Sequence, residues 1–163
     1  MAAIHRAGVK VLVLPFAALA DIPCNTRRIG EFLGAPVEAE ALARAFDEAL
    51  SALPALPARR AAYILWWSPP VTAGPSSFIG EGLRRLGLEP GPSARTAFPT
   101  VSFEELLAWA PSLILYPADA GPPPAWLAAR AGVRFIEVPA DRWNRPALNF
   151  PAALADLARA LGD

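Results

Sequence analysis

The sequence predicts an α/β fold built on a parallel sheet, with helices in right-handed crossovers between the strands. Strand-like and helical patterns alternate along the whole chain. The strand-like runs are almost continuously apolar, which suits a sheet covered on both faces. The 19 prolines provide a third observation, because they fall largely at loops and first helical turns and so separate the elements.

Residues 9–14, Val-Lys-Val-Leu-Val-Leu, are β-branched and apolar, and read as a buried strand closed by Pro15. Residues 21–34 read as a helix with Ile22, Ile29, Phe32 and Leu33 on one face and Gly34 as its stop. A longer helical pattern runs from Val37 to about Leu53, with Ala41, Leu42, Ala45, Phe46, Ala49 and Leu50 recurring at three and four. It is alanine-rich and carries no chemistry.

Pro54 and Pro57 end that helix, and residues 61–67 form a second strand. A helix then starts at Ser76 or Ser77, runs to Leu86 and stops at Gly87, and residues 88–100 read as a long Pro/Gly loop. At Ser102 a capping box can form with Glu105, opening a helix that runs to about Ala110. Residues 112–116 are the third strand, and a helix follows Pro124 and runs through Arg130. Residues 133–138 are the fourth strand, and a loop over residues 141–150 leads into a closing helix over residues 151–161.

A chain of 163 residues supports one domain with a substantial core. With 54% hydrophobic and 18% charged residues, and 15 basic side chains against 15 acidic ones, neither a disordered tail nor an electrostatic nucleic-acid surface is indicated. The longest apolar run, residues 9–20, is broken by Lys10 and Pro15 and falls short of the roughly 20 residues needed to cross a bilayer. Cys24 is alone, so no internal disulfide can form. No export signal is read at the start of the chain.

Catalytic motifs are absent. The single histidine, His5, lies far in sequence from the candidate serines, and Gly74-Pro75-Ser76-Ser77-Phe78 misses the G-x-S-x-G elbow at its last residue. One His and one Cys cannot supply an N/S metal ligand set. Gly74 and Gly80 match neither phosphate-loop spacing. The aromatics are more informative. Trp66, Trp67 and Trp143 fall at strand ends or in the loops after them, joined by Phe98, and turns at the carboxyl ends of parallel strands are where open α/β sheets bind ligands. Two readings stand: ordinary packing, or an apolar pocket wall in which Trp67, Phe98 and Trp143 meet along one rim. Adjacent Trp66 and Trp67 point to opposite faces if extended, so at most one of them lines a cleft. Glu104 suits the first turn of its helix, where a carboxylate favours the dipole. The loop Asp141, Arg142, Trp143, Asn144, Arg145 is either solvated or ligand-contacting.

In their order and spacing, several segments resemble the substrate-binding proteins of ABC importers for cobalamin, iron siderophores and haem, the class with a helical backbone between two α/β lobes. The segments are residues 7–14, Asp21-Ile22 with residues 28–34, residues 69–74 with Ser77-Phe78, residues 98–104, residues 111–115 and residues 141–145. The resemblance implies a C-terminal α/β sandwich lobe over residues 58–163, an interlobe helix over residues 35–57, and over residues 1–34 the remnant of a first lobe. It implies a non-enzymatic protein with no cofactor, which encloses cobalamin, a ferric siderophore or haem. Trp67, Phe98, Asp141, Arg142, Trp143, Asn144 and Arg145 would contact that ligand, and Glu104 would dock to the permease subunits. Phe98 stands where cobalamin binders can have tryptophan, which keeps an apolar wall but loses the indole donor. Periplasmic localisation follows from the resemblance. Because most of a first lobe and a signal peptide are missing, the expectation is a truncated member that holds its ligand weakly, with the strand at residues 9–14 left unpaired. The other expectations are a small α/β enzyme with a carboxylate centre at Asp141 or Glu104, and a non-functional fragment.

Overall fold

The computed structural model describes residues 10–92 and 96–162. Two helices come first, α1 (Asp21–Leu33) and α2 (Pro36–Ser51), followed by β1 (Arg60–Trp67), β2 (Pro70–Thr72), α3 (Phe78–Arg85), β3 (Glu89–Pro90), α4 (Phe103–Trp109) and β4 (Leu113–Pro117). After a 3-10 turn (Ala118–Ala120) come α5 (Ala125–Ala128), β5 (Arg134–Val138), α6 (Ala140–Trp143) and α7 (Phe150–Gly162). The sheet order is β2-β1-β4-β5, with β3 also paired to β1. β3, β4 and β5 join in parallel, and only β2 runs antiparallel, as the return arm of a hairpin from β1. The α/β fold with a largely parallel sheet is as the sequence predicts.

Period-two alternation along the strands divides the core into two layers. Ala61, Tyr63, Leu113 and Leu115 face one side, where Ile22, Phe46, Leu50, Phe78, Leu83, Phe150 and Leu154 cover them. Ala62, Ile64, Ile114 and Trp67 face the other, against Leu106 of α4 and Leu127 of α5. Helices on both faces explain why β1 and β4 carry so few polar residues. α1 and α2 form an antiparallel hairpin that joins the first layer through Ile22, Phe46 and Leu50, so α2 shares its core with the sheet. At their crossing Gly30 lies against Ala39, where an added Cβ would collide with the Ala39 methyl group. Only glycine allows that approach.

The local signals hold well. Gly34 caps α1 in the left-handed region at φ 76°. The Ser77 hydroxyl accepts from the Gly80 amide and donates to the Gly74 carbonyl, so one side chain both starts α3 and pins the loop before it. At α4 the capping box forms, with the Ser102 amide donating to Glu105 at 2.7 Å and the Glu105 amide to the Ser102 hydroxyl at 3.1 Å.

Several expectations are corrected. Residues 10–14 form no strand: among the described residues no neighbour pairs with them, and Val11 and Val13 are exposed. The predicted apolar face of α1 is buried only at Ile22, whereas Ile29, Phe32 and Leu33 are exposed. In α2 the buried stripe is Ala39, Ala43, Phe46 and Leu50; Ala41, Leu42, Ala45 and Ala49 face outward. Both stripes are apolar, and packing against the sheet chose between them. The expected loop at residues 88–100 includes the two residues of β3, the helix after Pro124 is a single turn, and the loop at residues 141–150 begins as α6.

Candidate functional site

The carboxyl ends of β1, β4 and β5 meet at one edge of the sheet. β1 turns there into its hairpin, β4 runs into the 3-10 turn, and β5 runs through Pro139 into α6. The 96–101 segment is laced beside this edge: the Gly74 amide donates to the Ala97 carbonyl, the Thr72 amide to that of Pro99, and the Val101 amide to that of Pro70. Hydrogen bonding between two stretches distant in sequence therefore fixes where Phe98 sits.

The expected aromatic wall of Trp67, Phe98 and Trp143 does not assemble. Trp143 stacks on Tyr63 at 5.4 Å between ring centroids, meets the edge of Phe150, and is 1% exposed. Trp67 packs into the opposite layer beside Tyr116, its indole N–H donating to the Gly121 carbonyl at 3.0 Å. The two indoles are buried on different faces of the sheet, because each bulky ring fills the layer its backbone position faces. Phe98 is 40% exposed, with one edge against Phe78, and Trp66 is 54% exposed. Trp66 and Trp67 thus divide between solvent and core, despite a bulge that shifts the register between Ile64 and Trp66.

The polar loop separates into three roles. The Arg142 guanidinium donates to Asp156 of α7 at 2.9 Å and is tied down there. Asp141 and Arg145 are exposed and form no ion pair or side-chain hydrogen bond among the described residues. Asn144 takes part in a hydrogen-bonded chain. It accepts from the Tyr63 hydroxyl at 2.7 Å, and its amide lies 3.4 Å from Asp119 in the 3-10 turn. Burial, followed by the charge of Asp119, pushes the Tyr63 phenol well above its usual range, so it stays protonated and can donate. Sequence reasoning missed Tyr63 and Asp119. The only available signal was the position of Asp119 just past a predicted strand.

Glu104 is exposed on the first turn of α4, where its own amide and the Ser102 hydroxyl hold its carboxyl below the ordinary range. A separate hollow of about 540 Å³ opens between α1, α2 and α3. Most of its charged groups are engaged: Arg27 with Glu40 and Asp47, Glu81 with the Leu19 amide, and Arg84 with the Pro75 carbonyl. No cluster of three potential metal-binding side chains occurs among the described residues.

No protein-family model and no curated protein matches the sequence. Solved structures do match. The periplasmic vitamin B12-binding protein BtuF of Vibrio cholerae superposes with a TM-score of 0.73 at 20% identity, over 99% of this chain and 68% of that one. A haem-binding periplasmic protein, BhuT, solved with two haems, gives 0.80 at 19% identity, over 99% and 69%. A possible iron-binding periplasmic solute-binding protein from Staphylococcus epidermidis gives 0.79 at 18% identity, over 99% and 70%. The chain has the fold of the helical-backbone periplasmic binding proteins, matched along about 70% of their length.

Proposed function

We propose that this chain is a substrate-binding component of an ABC importer, working outside the cytoplasmic membrane on cobalamin or an iron chelate, either a siderophore or haem. The observation that carries the reading is the superposition of 99% of this chain on about 70% of proteins described as a vitamin B12-binding, a haem-binding and a possible iron-binding periplasmic protein. Phe98 offers an exposed aromatic face beside the strand ends, and Asp141 and Arg145 offer one charge of each sign, neither of them ion-paired among the described residues. Asn144 contributes an oriented amide. Trp143 stacks within the core on Tyr63, the donor to Asn144, while Trp67 is buried in the opposite layer. Glu104 serves as the docking carboxylate for a basic side chain of the permease, and its exposure on the first turn of α4 leaves it open to such a partner. On this reading the chain's own part is to hold and release its ligand, which makes and breaks no covalent bond, so its role is not that of an enzyme. The interlobe helix is assigned to residues 35–57 and the C-terminal lobe to residues 58–163.

Titrating the chain with cyanocobalamin, hemin and a ferric hydroxamate siderophore, while recording tryptophan fluorescence corrected for ligand absorption, tests this reading. Saturable quenching by one of the three is expected. No response to any of them overturns it.

A further inference from the structure

Asp119 was not among the residues expected to contact ligand, yet it ends a hydrogen-bonded chain whose direction is fixed by chemistry. An ionised carboxylate can only accept, so the Asn144 group facing it is the amide N–H₂. The Asn144 oxygen must then face Tyr63, and the phenol must donate to it. Tyr63 is fully buried, Asn144 half-buried and Asp119 exposed, so the chain runs outward from the core to the sheet edge. This arrangement orients the Asn144 side chain against Asp119. One contact at 3.4 Å leaves most of the acceptor capacity of that carboxylate unused, and no cation pairs with it among the described residues.

We propose that Asp119 is a specificity-determining contact at this sheet edge, accepting hydrogen bonds from amide N–H groups of the ligand and disfavouring a carboxylate at the same place. The proposal rests on the reading of this edge as a tetrapyrrole-binding site. Within that reading it separates two ligand classes by their periphery. A corrinoid presents carboxamide side chains, which an anionic acceptor receives. Haem presents propionates, which meet like charge and leave lone pairs facing lone pairs. Tyr63 is a positioning residue that acts through Asn144.

The test compares dissociation constants for cyanocobalamin and hemin in the wild type, Asp119→Asn and Tyr63→Phe. The wild type is expected to prefer cyanocobalamin. Asp119→Asn keeps the shape, removes the charge and adds a donor, and should shift the ratio toward hemin by about tenfold or more, the scale of a hydrogen bond to a charged group. Tyr63→Phe should shift it the same way by less; its fold is checked by circular dichroism, and a purely structural role would weaken both ligands alike. A wild type that prefers hemin, or an unchanged ratio in Asp119→Asn, overturns the assignment of Asp119 and leaves the importer reading standing. If neither ligand binds the wild type, the tetrapyrrole reading itself fails and takes the assignment with it.

Discussion

Residues 60–162 and residues 10–42 treat their apolar side chains in opposite ways. In the first region Tyr63, Ile64, Leu113, Ile114, Leu115, Leu127, Trp143 and Phe150 are fully buried, and Trp66, Phe98, Trp126 and Leu148 are the large apolar groups left exposed among the described residues. In the second, Leu19 and Ile22 are buried, while Val11, Val13, Phe16, Ile29, Phe32, Leu33, Val37 and Leu42 meet solvent. Both regions are rich in apolar residues, so composition does not set the difference. A sheet has two faces and here has helices on each, whereas the α1–α2 hairpin packs on one side only. Burial follows from how many surfaces an element can cover.

The largest test of this contrast substitutes one residue in each region. Trp143→Ala should cost about 3–5 kcal/mol in urea unfolding, because the ring fills a packed layer and leaves a cavity. Leu33→Ala, at 70% exposure, should stay within about 0.5 kcal/mol. Comparable losses at both positions would mean that the hairpin face is covered in solution.

An intermediate effect is expected where the hairpin is closely packed. Gly30→Val places a branched side chain against the Ala39 methyl and the Ala35 carbonyl, neither of which can swing aside. A loss of about 1–3 kcal/mol is expected, read as a lower midpoint in urea. No change would show that α1 and α2 separate easily.

The smallest effect is electrostatic. Asp21 accepts from the amides of Ala18 and Ala17, which hold its carboxyl below the usual 3.8. A folded-state pKa below the unfolded one contributes stability that is present above the unfolded value and lost as pH falls through the folded value. Urea midpoints at neutral pH and at about pH 3 should therefore differ more in the wild type than in Asp21→Asn. Equal differences would mean that these amide contacts do not survive in solution.

What could be read from the sequence was whatever is settled within a few residues. Gly34, Ser77 and the Ser102–Glu105 box act within one helical turn, and each was found where its residue type placed it. Trp143 was misread because its neighbours Tyr63 and Phe150 reach it through the fold, and nothing beside it in the chain announces them. Residues 10–14 have every local feature of a strand, but a strand also needs an edge to pair with; Val9, which the expected strand included, lies outside the described residues. β3 is two residues long, too short for any periodicity. Within the candidate site, the exposed loop charges Asp141 and Arg145 were legible as a polar run, while Asp119 depended on a contact spanning 25 positions.

The burial of Trp67 and Trp143 beside the exposure of Trp66 and Trp126 has an optical consequence. Indoles sealed in a dry core emit toward the blue, and wetted ones toward the red. The folded chain should therefore emit as a sum of a blue and a red component, and denaturant should merge the first into the second.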